Sequence, residues 1–333
     1  MILELTQKAK TEKVRRKAIC NGIGIEIRTL QNWKREGLLD KRKGACKQVH
    51  NKLTEAEERK IQDKACSIKY KEKTPGEIVA LLATEGEYIA SVSSFYRVFK
   101  KRNLVILNRR QRRKSKATLS EIKAKMSNEQ WSWDTSYLKT AVRGKYFYLY
   151  LFTDIWDRYI IGWEIHEEES GEMAKKIFEK ISERLNVKGI KLHSDNGGPM
   201  RSTTFRAVLE KLEVIQTFSR PSVSNDNAFS ESLFSTLKRN AGYPKRFNTI
   251  EEAREWMIRF VNWYNNEHMH TGLCYVTPAQ RRKGEDKKIF ENRNNTFELA
   301  RLAHPERWTG KTKVWGLEQE VFLKKGNLQR KAS

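Results

Sequence analysis

Residues 131–138 read Trp-Ser-Trp-Asp-Thr-Ser-Tyr-Leu, which sets one carboxylate, Asp134, inside an aromatic strand-like run. Such a run wants to be buried, and an acid within it is costly unless it is paired or metal-bound. Two further β-rich runs follow, at 145–153 and 158–165, with turns at Arg143-Gly144 and Asp157-Arg158. Turns this short favour an antiparallel meander. The periodicity then changes. Met173, Ile177 and Ile181 repeat at i, i+4, i+8 and predict a helix over 170–184. A strand over 189–195, a helix over 203–212, a strand over 214–218, a helix over 226–240 and a long helix over 250–266 (Trp256, Phe260, Trp263) complete the pattern. Strands followed by alternating helix and strand predict an α/β core at 129–268, a mixed five-stranded sheet with flanking helices.

Upstream, only helical patterns occur. At 12–37, Val14 and Ala18 mark a short helix, Asn21-Gly22-Ile23-Gly24-Ile25 a turn, and Ile27, Leu30 and Trp33 a second helix beside Arg28, Lys34 and Arg35. This is the outline of a helix-turn-helix whose second helix is basic enough for a major groove, although a helical hairpin with a solvated basic face has the same outline. At 51–104, Thr54 and Glu57 form a capping-box pattern, Pro75 opens a second helix that ends before Gly86, and Phe95, Val98 and Phe99 face inward from a third. Arg97 and Lys100 lie on that third helix. The expected organisation is a helix-turn-helix unit at 1–50, a second such unit at 51–104, a basic linker at 105–128, the core at 129–268, and a small basic, β-containing tail at 269–333.

From Lys100 to Lys116 there are nine Lys or Arg and no acid, including Arg109, Arg110, Arg112 and Arg113. A solvated linker and a phosphate-tracking segment both fit this run. The whole chain carries a net charge of +25 with a pI near 9.8, which points to a polyanionic partner, and nucleic acid fits best. No run of 18 apolar residues is present, so no spanning helix and no membrane partner are expected. The N-terminus lacks an apolar signal region. Cys20, Cys46, Cys66 and Cys274 are scattered without a CxxC pair, as expected of reduced thiols in the cytoplasm. His268 and His270 read as a loop or packing pair.

Asp195 follows a strand and precedes Asn196-Gly197-Gly198, the strand-end position where sites of α/β sheets collect. If its strand neighbours that of Asp134, both carboxylates can reach one ion. Thirty-five residues separate Glu231 from Asp195, and Glu231 lies in a helix whose apolar stripe is Phe229, Leu233 and Leu237. It faces away from that stripe, on the same side as Asn227 and Lys238. In a chain with 41 acids, spacing alone proves nothing. Asp154, for example, reads as a cap for the turn to Asp157.

These residues resemble the insertion-sequence DDE transposases whose core is of the retroviral-integrase type, in the group that transposes through a circular intermediate. The matching segments are WSWDTSYL, LHSDNGGPM, FSRPSVSNDNAFSESLFSTLK, FVNWYNNEHMHTGL and TPAQRRKG, within about 129–285. The resemblance implies an RNase H-like core in which Asp134, Asp195 and Glu231 hold two Mg²⁺ ions, with Mn²⁺ able to substitute. It also implies that Lys238 contributes to catalysis and DNA contact, and that Asn227 orders the site and touches DNA. Cleavage at element ends would free a 3′-OH for strand transfer into target DNA. Double-stranded DNA, a second copy or higher oligomer, and a protein from an upstream reading frame are the partners this implies. The alternatives are a DNA-binding regulator with an inactive core and a hybrid-cutting nuclease.

Overall fold

The computed structural model describes residues 11–12, 14–36, 51–104, 123–219, 227–318 and 320–322. The chain divides into two compact units, Met1–Lys52 and Leu53–Ser333. In the first, α1 (Arg16–Ile23) and α2 (Ile27–Glu36) are joined through Gly24. Gly24 has φ of 72°, a left-handed conformation that glycine adopts without a Cβ penalty. Cys20 and Leu30 are buried, whereas Val14, expected on the first helix, precedes α1 and is exposed. Arg28, Lys34 and Arg35 are exposed on α2. Arg109, Arg110, Arg112 and Arg113 lie outside the described residues.

In the second unit, α3 (Glu55–Cys66) starts with the expected capping box between Thr54 and Glu57, and α4 (Pro75–Thr84) with another between Thr74 and Glu77. Helix α5 (Val92–Lys101) buries Phe95, Val98 and Phe99 and leaves Arg97 and Lys100 exposed. Lys101 pairs with Glu58 at 2.5 Å, tying α5 to α3.

The central sheet has five strands: β2 (Gln130–Lys139), β3 (Tyr146–Asp154), β4 (Ile160–His166), β5 (Lys191–Ser194) and β6 (Ile215–Phe218), in the order β4-β3-β2-β5-β6. β2, β3 and β4 form the antiparallel meander, while β5 runs parallel to β2 and β6 parallel to β5. Alternation along β2 divides two cores. Trp131 and Trp133 pack with α6 (Gly171–Ser182) and α7 (Thr203–Lys211) through Phe178 and Phe205. Leu138 packs on the other face with α8 (Ala228–Arg239) and α9 (Ile250–Asn266) through Leu237, Trp256 and Phe260.

A two-residue strand, β1 (Lys123–Ala124), pairs with β7 (Val321–Phe322), the only strand of the C-terminal region among the described residues. The rest of that region departs from a small β-containing tail. After α10 (Pro278–Arg282) comes α11 (Asp286–Ala303), an 18-residue helix packed on α4. Phe290, Phe297 and Trp315 share one core with Ile78, Phe95 and Phe99, so residues 51–104 and 269–315 build a single module. The inward face of α11 is Asp286, Phe290, Arg293, Thr296 and Phe297. Its polar members hide the apolar repeat in the sequence.

Arg293, only 2% exposed, holds this module together. Its guanidinium donates to Thr84 Oγ1 at 2.7 Å and to the carbonyls of Cys274 (2.8 Å) and Tyr275 (3.0 Å). Arg293→Ala leaves these acceptors unmet in a dry place. The expected loss is about 2 to 4 kcal/mol in denaturant unfolding. A loss below about 0.5 kcal/mol would contradict this role.

Candidate active site

The parallel register pairs Trp131 with Leu192 and Ser132 with His193. Continued by two residues, it sets Asp134 beside Asp195, where β5 has ended and the edge of β2 is open. Neighbouring strands lie about 4.8 Å apart, so two acids at matched positions stand side by side. His193 helps hold this strand end: it is fully buried, with Nδ1 3.1 Å from Thr217 Oγ1 and Nε2 3.3 Å from Ser219 Oγ. Beyond it, the Gly197 N–H donates to Asp195 Oδ1 at 2.9 Å, and a Cβ on Gly197 would stand 3.1 Å from that same oxygen. Glycine therefore lets the backbone close on the carboxylate. Asn196 donates to the Ser219 carbonyl at 2.5 Å and accepts from Arg201 at 2.8 Å.

Helix α8 supplies the third acid. Glu231 lies in its first turn, where the helix dipole favours a negative charge. Asn227 stands at the N-cap, but its side chain turns to β2 instead of capping. Its Nδ2 donates to Asp134 Oδ2 at 3.1 Å, and its Oδ1 accepts from Ser132 Oγ at 2.6 Å. Ser132 also meets Ser230 at 2.8 Å. Asn227 is 4% exposed. It is placed to order Asp134. Two residues before Glu231, the Phe229 ring lies 3.3 Å from the Arg158 guanidinium, which steadies the start of α8.

Burial and the nearby charge of Asp195 push the Asp134 carboxyl up to about 7; the Thr135 N–H opposes them, and the charges of Glu231 and Glu169 add to the rise. Asp195 and Glu231 thus lie within electrostatic reach of Asp134. The donors are oxygens only, which suits hard cations such as Mg²⁺ or Mn²⁺, and a divalent cation would relieve the repulsion that raises Asp134. In donor chemistry, Asp134, Asp195 and Glu231 suit such an ion. Among the described residues, no three His, Cys, Asp or Glu side chains are drawn together closely enough to hold a metal.

Lys238 is exposed near the end of α8. Lost hydration and the charge of Lys139 lower its pKa, while Asp134 pulls the other way, so both residues lie within electrostatic reach of it. Ser132, Ser230, Lys139 and Glu169 were missed in the sequence. Their residue types are too common to single out, and only tertiary contacts link Ser230 to Ser132, Lys139 to Lys238 and Glu169 to Asp134. Asp154 behaves as expected, accepting from the Trp156 N–H at 2.7 Å and the Asp157 N–H at 3.2 Å. It also accepts from the Asn128 N–H at 2.6 Å. His268 stacks on Tyr264, a packing role.

Residues 124–224 match the family described as "Integrase core domain", and residues 212–278 match a second family of the same description. The chain is 28% identical over 158 residues to the transposase for insertion sequence element IS904 of Lactococcus lactis, covering 47% of this chain and 62% of that protein. It is 26% identical over 169 residues to transposase InsF for insertion sequence IS3A of Escherichia coli, covering 50% and 55%. The chain thus spans less than two thirds of the length of these curated relatives. The catalytic core domain of BIV integrase is 17% identical, with a TM-score of 0.37, covering 48% of this chain and 97% of that one. Residues 124–278 are thus similar to integrase core domains, and about half of the chain is similar to insertion-sequence transposases.

Proposed function

We propose that this chain is a DNA transposase that cuts the ends of an insertion sequence and joins the freed 3′ end to target DNA. The observation that supports the reading is the approach of two acids to Asp134: the parallel register, continued, brings Asp195 beside it, and the charge of Glu231 reaches it from α8. Asp134, Asp195 and Glu231 would hold two Mg²⁺ ions, which, when bound, lower the pKa of a water and stabilise the charge on a leaving oxygen. Asn227 and the Thr135 N–H fix the two oxygens of Asp134, so the carboxylate is oriented before substrate arrives. Lys238 and Lys139 supply positive charge at the rim, where a phosphate would approach.

In the first step, water attacks the phosphodiester at the element's end, leaving a 3′-OH on one fragment and a 5′-phosphate on the other. In the second, that 3′-OH attacks a target phosphodiester, one P–O bond forms as another breaks, and a target 3′-OH leaves. Neither step needs an oxidant or a covalent protein intermediate.

Arg28, Lys34 and Arg35 on α2, and Arg97 and Lys100 on α5, are exposed cations suited to DNA phosphates. Arg109, Arg110, Arg112 and Arg113 extend this role along the basic segment. Two ends must be joined at one time, so a second copy takes part, and a protein from an upstream reading frame is a further candidate partner. Among the described residues, no helix is long and apolar enough to cross a membrane. The site of action proposed is the cytoplasm, at the DNA.

The test is incubation of the full chain with duplexes carrying the DNA that flanks its gene, with Mg²⁺ or with EDTA, beside an RNA–DNA hybrid. Mg²⁺-dependent nicking at the element's end supports the reading. Binding without nicking would favour a regulator, and cleavage of the hybrid alone a nuclease.

A further inference from the structure

A fourth carboxylate, Glu169, stands within electrostatic reach of Asp134. Glu169 lies between β4 and α6, just before Ser170, the N-cap of α6. Its loop is pinned to the sheet at several points. The Thr135 hydroxyl donates to Glu169 Oε1 at 2.5 Å, and the Tyr137 hydroxyl donates to Oε2 at 3.2 Å. The Tyr150 hydroxyl accepts from the Ser170 N–H at 2.7 Å and donates to the Glu168 carbonyl at 3.0 Å. Such a clamp is not needed for a solvated glutamate, whose side chain would otherwise keep its rotamer freedom.

Thr135 connects Glu169 to Asp134. Its hydroxyl binds Glu169, and its N–H donates to Asp134 Oδ1 at 2.8 Å. One residue therefore spans the two carboxylates. The charge of Glu169 also reaches Asp134, and it is the foremost influence holding the Tyr137 phenol protonated. Both Glu169 oxygens are occupied by hydroxyl donors, which do not neutralise its charge. A negative charge built in beside three other acids works against the empty site and in favour of a cation-filled one.

We propose that Glu169 is a positioning residue of this site: it fixes Thr135, and through it Asp134, and its charge tightens the hold on divalent cations without ligating them. This rests on the metal-dependent reading above.

The test uses the full chain with Mn²⁺ as the probe, counting free Mn²⁺ by electron paramagnetic resonance for wild type and for Glu169→Gln. Glutamine keeps the shape and one acceptor oxygen and removes the charge. Mn²⁺ affinity should fall about tenfold, the effect of one unit charge at a partly screened site. The Mg²⁺ concentration for half-maximal nicking should rise by a similar factor, and the maximal rate should fall by less than that factor. Thr135→Val, which removes the linking hydroxyl, should shift Mn²⁺ affinity in the same direction. Unchanged Mn²⁺ affinity in folded Glu169→Gln overturns the proposal and leaves Glu169 as a loop anchor. Loss of activity that saturating Mg²⁺ does not restore also overturns it, because Glu169 would then be a ligand. If the wild-type chain binds no Mn²⁺, the metal reading itself fails. Wild-type binding with an unaffected Glu169→Gln sinks only the role of Glu169.

Discussion

Asp134→Asn, Asp195→Asn and Glu231→Gln should each abolish nicking of element-end DNA while leaving DNA binding within a few-fold of wild type. Each change keeps side-chain volume and removes one negative oxygen ligand. Metal ions supply several kcal/mol of charge stabilisation to phosphoryl chemistry, so a misplaced ion costs roughly a hundred- to ten-thousand-fold in rate. On the proposed reading, DNA binding rests mostly on cations such as Arg28, Lys34 and Arg35, which are exposed and lie in a separate compact unit from the carboxylates. A gel-shift titration beside a single-turnover cleavage assay separates the two effects. Any one of the three variants cutting within tenfold of wild type would remove that residue from the catalytic set.

The second large effect is on stability, with a sign opposite to that of a structural residue. The Asp134 carboxyl is pushed up to about 7 from an ordinary value of 3.8. Between those pH values the folded chain binds more protons than the unfolded chain, so stability falls as pH rises through that window. The penalty is absent below about pH 4, complete above about pH 7, and on the order of a few kcal/mol. Asp134→Asn should therefore be more stable than wild type above pH 7 without metal, and the difference should vanish toward pH 4. Asp154, pushed up to about 7 by burial and by Asp157, is present in both proteins and cancels in the comparison. Mg²⁺ should reverse the order at pH 8, raising the wild-type melting temperature by about 5 °C or more and leaving the variant nearly unmoved. Thermal melts at pH 4.5 and pH 8, with and without Mg²⁺, check this. An Asp134→Asn variant less stable than wild type at pH 8 in EDTA would contradict it. A gain in stability from removing a functional group is a common trade-off at active sites.

Much of the core was legible because its signals are local. The period-2 aromatic run at 131–138, the short turns after it, and the i, i+4 stripe of α6 each specify one element, and the sheet follows from their order. Asp134 stood out because a carboxylate inside an aromatic strand is expensive. Asp195 stood out because a strand ends beside it. Glu169 did not, since it is one of three consecutive glutamates ahead of a helix and only the bonds from Thr135 and Tyr137 select it. Helix α11 was hidden for a different reason. Arg293 and Thr296 occupy its inward face, and buried polar groups satisfied by distant carbonyls and hydroxyls break the apolar pattern that reveals a helix. The shared core of residues 51–104 and 269–315 is likewise a long-range pairing, without a local signal. The contact of Asn227 with Ser132 had no signal in the sequence, because it is decided by helix packing.

The most direct measurement is anomalous scattering from crystals of the full chain grown with Mn²⁺. The account predicts manganese peaks bounded by Asp134, Asp195 and Glu231, lost in crystals of Glu231→Gln. Manganese bound elsewhere, or the three carboxylates left without an ion at saturating Mn²⁺, would contradict it.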